Sequence, residues 1–198
     1  MKLDDLGAVP PADAGQGLRS ERLLLRRFSA HDLPLLVELN ADVEVMRWLG
    51  GVRSAEQTAA WMDERVLRYY DENPGLGIWA TLLRDGGECV GFHLLNNIQG
   101  ETQIQVGYRL LRRHWGRGYA TEMTAALLDH GYRRLGLERI AAITALENHA
   151  SQHVLIKSGL PRLADRFFPH PAYAPFGPQA YFERSAQDWL AANKTKQT

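Results

Sequence analysis

The sequence predicts a mixed α/β (α+β) fold: a mixed, mostly antiparallel sheet with helices on both faces. Three observations predict it. Two apolar runs, 78–84 and 88–95, flank Asp85-Gly86-Gly87, which reads as a hairpin. From residue 103 onward the pattern alternates strand, helix, strand, helix. The clearest helical stripe is Ala120, Met123, Leu127, Gly131 and Leu135, with Leu128 and Tyr132 beside it. It begins just after two glycines one residue apart, Gly116 and Gly118.

Each element has its own signal. Residues 1–18 mix Gly, Pro, Ala and Asp without periodicity and read as a mobile arm. Residues 19–192 read as a single domain, and 193–198 as a tail; 198 residues suit one substantial core. Arg22 to Phe28 is the first strand. Ser29 starts a helix through about Leu39, with Asp32 in the capping-box position and Pro34 within the first turns. A short helix follows over Val43 to Leu49, broken by Gly50-Gly51. Ser54, with Gln57 three residues on, starts a helix that ends before Asn73-Pro74-Gly75.

After the hairpin, Gln103 to Leu111 alternates as a strand. The long helix ends at Gly136, a suitable residue just past a helix end. Arg139 to Ala145 is a strand, and Asn148 to Ser158 a helix closed by Gly159. The stretch from Phe167-Phe168-Pro169-His170-Pro171 to Phe176-Gly177-Pro178 is aromatic and proline-rich without a period. Tyr181 to Arg184 is the last strand, and Ser185 starts a terminal helix through about Ala192.

Composition narrows the function. There are 23 basic and 23 acidic residues, so no overall charge marks the chain for nucleic acid or an anionic membrane. Positive charge is local: Arg109, Arg112, Arg113 and Arg117 lie together. The single cysteine, Cys89, permits no intrachain disulfide and fits a reducing cytoplasm, where it reads as a small core residue. No apolar run approaches a membrane span, and the N-terminus lacks signal-peptide order. His149 and His153 share a helical face, yet no third ligand stands near them in sequence, so no metal is expected.

A strand leading into a basic, glycine-bearing turn at a helix start makes an anion site. Glycine lets amides approach closely, and the free N–H groups of the first turn favour negative charge. Three motifs compete for Gly116 and Gly118. A phosphate-binding G-x-x-x-x-G-K-[ST] run is absent. A dinucleotide fingerprint fails because Thr121 stands where its third glycine belongs, and Glu138 precedes the next strand instead of ending it. The third, R-x-x-G-x-G/A, is met by Arg113-His114-Trp115-Gly116-Arg117-Gly118.

That third motif resembles the pyrophosphate loop of the GCN5-related N-acetyltransferases (GNAT). The wider string Trp115-Gly116-Arg117-Gly118-Tyr119-Ala120-Thr121-Glu122 resembles the RimJ/RimL-like branch, which acetylates ribosomal-protein N-termini. Ser20 to Arg26 resembles that branch's opening strand, and Asp42 to Leu49 its second helix. Asn148-His149-Ala150-Ser151 and Lys157-Ser158-Gly159-Leu160 resemble its last block, with Leu160 where Phe is usual. The likeness spans roughly residues 19 to 190 and implies a twisted sheet of about six to seven strands.

It also implies how the parts are used. Acetyl-CoA is the cosubstrate, without a metal. Strands 103–111 and 139–145 run parallel and splay, and the pantetheine arm pairs with backbone near Leu110. The pyrophosphate sits on amides from Arg113 to Ala120, so Arg112, Arg113, His114, Gly116, Arg117, Gly118, Tyr119, Ala120 and Thr121 form the cofactor loop. Arg117 and Lys157 reach phosphates, and Trp115 packs against the loop. Glu122 should point away from the pyrophosphate. Asn148 bonds the pantetheine amide, in preference to the plain helix N-cap that an Asn also makes well.

The chemistry implied is direct attack of a neutral amine on a thioester. The thioester oxygen would be held by a backbone N–H near Tyr108 or Arg109. Many relatives protonate the leaving thiolate with a Tyr seven residues after the Asn; Leu155 stands there. The N-terminal-acetylating branch has a Ser three residues after the Asn, matched by Ser151, which is the expected catalytic donor to sulfur. Relatives often carry a carboxylate just before the Gly-Tyr pair, where this chain has Gln103 and Gln105. Neither amide takes a proton at neutral pH, so Gln105 is expected to orient a water, with His114 and Glu101 as lesser candidates for a base. A site without a strong base suits α-amines. A small-molecule amine acceptor (polyamine or aminoglycoside) and a non-catalytic acyl-CoA-binding module are the alternatives. Segment 161–180 either lines the acceptor pocket or meets a second copy in a homodimer.

Overall fold

The computed structural model describes residues 17–193. Most of the expected arm and tail therefore lies outside the described residues. Gly17 and Leu18, placed in that arm by the sequence, are joined to the first strand. Gly17 N–H donates to Leu25 O at 2.8 Å, Leu25 N–H donates to Leu18 O at 2.9 Å, and Leu18 packs on the core.

Six strands form one sheet in chain order: β1 Leu23–Arg27, β2 Gly77–Leu83, β3 Cys89–Asn97, β4 Ile104–Leu110, β5 Arg139–Ala145 and β6 Gln179–Ser185. All neighbours are antiparallel except β4 and β5. The β3–β4 ladder runs from Gly91↔Leu110 to Asn97↔Ile104, whereas β4 and β5 pair only at Gln105↔Ala141. Beyond that pair the two parallel strands part, as expected.

The helices before the hairpin are α1 Leu33–Ala41, α2 Val43–Met46, α3 Ala55–Met62 and α4 Arg68–Glu72. The sequence placed the α1 start at Ser29, but residues 30–32 form a 3₁₀ turn and the α-ladder begins at Leu33. Pro34 has no N–H to give, so α-type bonding can begin only past it. Asp32 still caps the turn, accepting Ser29 N–H at 2.8 Å. Helix α2 stops three residues short of the expected Leu49, because Leu49 N–H turns back to Met46 O on the way into Gly50. Between α3 and α4 the chain is a π-turn over Asp63–Leu67, so the third expected helix is continuous but locally widened.

After β4 come α5 Tyr119–Arg133, α6 His149–Lys157 and α7 Ala186–Ala192. The two sheet faces are told apart by the alternation along β3. Phe92 meets Trp61 of α3 at 6.0 Å and Phe28 at 6.4 Å between ring centroids. His93 and Leu95 lie on the other face, under α5, which packs on β3, β4 and β5. Ser158 Oγ donates to Thr121 O at 3.3 Å, joining α6 to α5 on that face. Helices thus cover both faces, and buried Leu23, Leu25, Leu36, Leu39, Met123, Leu127 and Phe182 fill the layers between.

The aromatic segment is not free to be only a contact with another molecule. Phe168 and Tyr173 pack on Ile98, Ala141 and Tyr181, and Tyr173 Oη accepts Gln99 N–H at 3.1 Å. Phe176 reaches within 3.4 Å of where a side chain at Gly50 would begin. The segment therefore borders the sheet face that carries Phe92 and Gln105.

Candidate active site

The site starts at the end of β4. Leu111 N–H donates to Val90 O at 2.9 Å, so odd-numbered peptide groups here face β3. Alternation turns the groups of Tyr108 and Leu110 toward β5, where the strands have parted. Of the two oxyanion donors the sequence left open, Tyr108 N–H is the one directed into the split. Leu110 C=O, expected to pair with pantetheine, accepts Trp115 Nε1 at 2.8 Å. Trp115 thus packs on the loop as expected, and its indole edge holds one acceptor of the false-strand position.

A 3₁₀ turn over Arg112–His114 follows, then Gly116 at φ +73° and Gly118 at φ +80°. Gly118 is the N-cap of α5. Among the described residues, the main-chain N–H groups from Gly116 to Thr121 have no protein acceptor; the first to find one is Glu122, on Gly118 O at 3.0 Å. A helix start with its amides unspent is a cradle for an anion.

The cations of the loop divide into two sets. Arg113 pairs with Glu38 and lies 3.8 Å from Glu88, and Arg112 lies 3.4 Å from Asp42. These side chains anchor the loop to α1 and the hairpin. His114 is buried, with Nε2 3.1 Å from Glu88, so it serves as packing inside the turn. Arg117 makes no ion pair among the described residues and stands exposed at the cradle. Lys157, also exposed, lies at the end of α6 in a cleft with Ala125 and Asp129 of α5.

Glu122 points away from the cradle, as expected. It accepts Ser20 Oγ at 2.6 Å, Arg22 N–H at 2.7 Å and Arg22 Nε at 2.7 Å. Burial disfavours its charge, but these donors outweigh that and hold its carboxyl below the usual range. Arg22 also donates to Arg117 O at 3.1 Å and stacks 4.8 Å over Tyr119. This clamp, from the bend just before β1, was not read from the sequence, where Arg22 is only the first strand residue.

Glu122→Gln should cost about 1–2 kcal/mol at neutral pH, since it weakens charge-assisted bonds to three donors. A carboxyl with a depressed folded pKa stabilises the fold above its unfolded pKa and loses that contribution as pH falls through the folded value. The wild-type advantage in urea unfolding should therefore shrink below about pH 4.5. A gap constant from pH 7 to pH 3 would refute the assignment.

Across the split stand Asn148 and Ser151. Asn148 is the N-cap of α6, and its Oδ1 accepts Ser151 N–H at 3.2 Å, which leaves Nδ2 for a ligand. Ser151 lies in the first turn of α6. Leu155, where many relatives carry the phenol, is buried at 2% exposure.

On the opposite face, Gln105 Nε2 donates to Asn96 Oδ1 at 3.3 Å. Gln103 bonds Glu183, which also accepts Tyr181 Oη at 2.6 Å and Arg139 Nη1 at 2.7 Å. Burial raises the Glu183 pKa, yet these bonds bring it below the usual range, so it is ionised and a weak base. Both carboxylate oxygens of Glu101 accept from Arg166 Nη2, at 3.0 and 2.8 Å. Among the described residues, neither Glu101 nor Glu183 is free to replace the carboxylate missing from β4 at Gln105. The same face carries Arg109, bonded to Asn40 and stacked over Phe92 and Trp61 at 5.1 and 5.9 Å. Burial first, and Arg53 second, push its pKa down to about 9, and it has no carboxylate partner among the described residues.

A strand, an anion-binding glycine turn and a helix beside a split parallel pair define an acyltransferase that takes its acyl group from a nucleotide thioester. The comparisons agree. Residues 22–161 match the acetyltransferase (GNAT) domain, and the chain belongs to that family. It is 31% identical over 147 residues to the uncharacterized N-acetyltransferase YoaA of Bacillus subtilis, covering 72% of this chain and 81% of that protein. It is 24% identical over 193 residues to the FsC-acetyl coenzyme A-N(2)-transacetylase of Aspergillus fumigatus, covering 91% of this chain and 81% of that one. A GNAT-family acetyltransferase structure from Bacillus anthracis superposes with a TM-score of 0.70 at 25% identity, over 86% of this chain and 98% of that one. The chain is a GNAT N-acetyltransferase, and acetyl-CoA is its cosubstrate.

Proposed function

We propose that this acetyltransferase acts on α-amines, such as protein N-termini, as in the RimJ/RimL-like branch. The observation that carries this reading is the acceptor face: Gln105 in place of a carboxylate, Glu101 and Glu183 already held, and Arg109 beside Arg53 with no carboxylate partner among the described residues. Freeing a lysine-like amine at pH 7.4 costs about 4 kcal/mol, and an α-amine only about 0.5 kcal/mol. No side chain here pulls a proton from a strong base, and two cations raise the cost of an ammonium. An amine that is already partly neutral is the acceptor such a face suits.

In this reading the pyrophosphate of acetyl-CoA rests on the amides of Gly116 to Thr121, with Arg117 and Lys157 at its phosphates. The pantetheine amide meets Asn148 Nδ2. The amine nitrogen attacks the thioester carbon, Tyr108 N–H takes the growing oxyanion, and the C–S bond breaks. Ser151 Oγ donates to the leaving sulfur, and a water held by Gln105 carries the amine proton away. The single free thiol, Cys89, suits the reducing cytoplasm in which acetyl-CoA is met.

The test is an acceptor screen by thiol release from acetyl-CoA between pH 6.5 and 9. α-Amine peptides should be turned over at least about 10-fold faster at pH 7 than lysine side chains, polyamines or aminoglycosides, a fraction of the roughly 4 kcal/mol difference in deprotonation. Faster lysine or polyamine turnover at pH 7 would refute the reading. Thermal stabilisation by CoA with no turnover of any amine would make the chain a binding module.

A further inference from the structure

We infer that Arg109 and Arg53 form a seat for an anion carried by the acceptor, so that the preferred acceptors have a carboxylate on the residue that bears the amine or on the next one. This rests on the acceptor face proposed above and names the substrate class that the face takes.

Strand alternation puts Arg109 on the same face of β4 as Gln105, the face that α1 and α3 cover. It stands two residues, about 7 Å, past Gly107, and the proposed oxyanion donor Tyr108 lies between them. Arg109 Nη1 donates to Asn40 Oδ1. Its Nε is buried without an acceptor, and Nη2 makes no bond among the described residues. Two N–H groups side by side on one guanidinium edge are the pair that grips a carboxylate in parallel bonds. Arg53 is tied to the same place, because its N–H donates to Asn40 O at 2.9 Å. The two guanidinium groups lie 5.7 and 5.9 Å from the Trp61 ring centre, so both cations flank one indole. Asn40 is buried and held by its own bond to Thr58 Oγ1 at 3.1 Å. Arg53 also follows the Gly50-Gly51 turn, where Gly50 stands beside Phe176 of the aromatic segment that borders this face.

The acids of α1, α2 and the start of α3 are engaged elsewhere. Glu38 pairs with Arg113, Asp42 with Arg112 and Glu44 with Arg47, and Glu56 accepts Ser54 Oγ at 2.7 Å. Neither Arg53 nor Arg109 has a carboxylate partner among the described residues. Burial disfavours both charges, and Arg53 adds to the effect on Arg109, yet at about 9 the Arg109 pKa leaves it charged at neutral pH. Two like charges drawn out of water without a counter-ion are costly to the fold. A carboxylate arriving between them turns that repulsion into attraction. A free amino acid and an acidic peptide N-terminus offer this same group close to an α-amine.

The experiment measures kcat/KM on the full chain with acetyl-CoA and acceptors matched but for one group. The pairs are peptides beginning Asp-Ala against Asn-Ala, peptides beginning Ala-Asp against Ala-Asn, and free alanine against alaninamide, with each rate referred to the neutral amine. The carboxylate member of at least one pair should be favoured at least about 10-fold, as charge-assisted bonds imply. The pair that shows it tells an amino acid from an acidic peptide. Arg53→Gln should bring that ratio to within about three-fold, and Arg53→Glu should invert it. Arg109→Lys keeps the charge, loses the fork and should also lower the ratio. Equal rates within every pair would overturn the inference and leave the α-amine reading standing. A preference unchanged in both Arg53→Gln and Arg109→Lys would place the carboxylate elsewhere and overturn it too. Peptides whose reacting lysine has Asp or Asn beside it keep the two readings apart. If these lysines outpace every α-amine at pH 7, the α-amine reading fails, and the ratio of Asp to Asn among them still decides for or against the seat.

Discussion

Gly118→Val should leave a folded protein that binds acetyl-CoA about 30-fold more weakly. Gly118 sits at φ +80° and ψ 0°, the left-handed region. A side chain there costs about 1–3 kcal/mol, and a β-branched one is at the upper end. A Cβ would also come within 3.3 Å of Arg22 Nη2, the arm that clamps the loop. The chain can relieve this strain only by rotating the peptides on either side. Those peptides carry the amides that are left free from Gly116 to Thr121. An affinity loss of about 2 kcal/mol, roughly 30-fold, follows if the cradle opens. Gly136→Val is the control: φ is +66°, the position is open, and it lies at the far end of α5. It should lower the melting temperature by a similar strain and leave CoA affinity unchanged. Calorimetric titration with CoA reads both. Unchanged affinity in Gly118→Val would mean that the loop does not hold the cosubstrate.

What the sequence disclosed about this site is what local chemistry can encode. Gly116 and Gly118 announce a backbone that most residues resist, and Asn148 is legible as a cap because its partner is three residues away. The hairpin at Asp85-Gly86-Gly87 and the strand Arg139–Ala145 are legible for the same reason. Other features depend on partners far along the chain. Arg22 and Glu122 meet across one hundred residues, and Arg109 and Asn40 across sixty-nine. Nothing in the pattern around Arg22 distinguishes a clamp from a solvated strand end. The stretch 167–178 has no period because its aromatics pack singly into places set by other elements: Phe168 on Ala141, Tyr173 on Gln99, Phe176 by Gly50.

Gly91→Ala should be the most damaging small substitution near the site, costing about 4 kcal/mol. Gly91 lies on β3 opposite Leu110, with φ at +140°. A Cβ built there stands 2.2 Å from Arg109 O and 2.7 Å from Leu110 Cα. Both atoms are backbone, so no rotamer can move aside. Left-handed strain and overpacking cost about 1–3 kcal/mol each, and here they act together. At roughly 2–4 °C per kcal/mol for a chain of this size, the melting temperature should fall by about 10 °C. Gly107→Ala is the contrast. Its Cβ would meet only the end of the Leu94 side chain, at 3.2 Å, which can turn, so it should cost less than about 1.5 kcal/mol. The functional consequence of Gly91→Ala is distinct from its cost in stability. To admit the methyl group, β4 must move away at Arg109 and Leu110. That shift carries the Tyr108 peptide and the Leu110 carbonyl that Trp115 holds. Assayed well below its melting transition, the variant should therefore show a kcat at least about 10-fold lower, through a displaced oxyanion donor. Full kcat in a folded Gly91→Ala protein would mean that the end of β4 does not bear on the reaction.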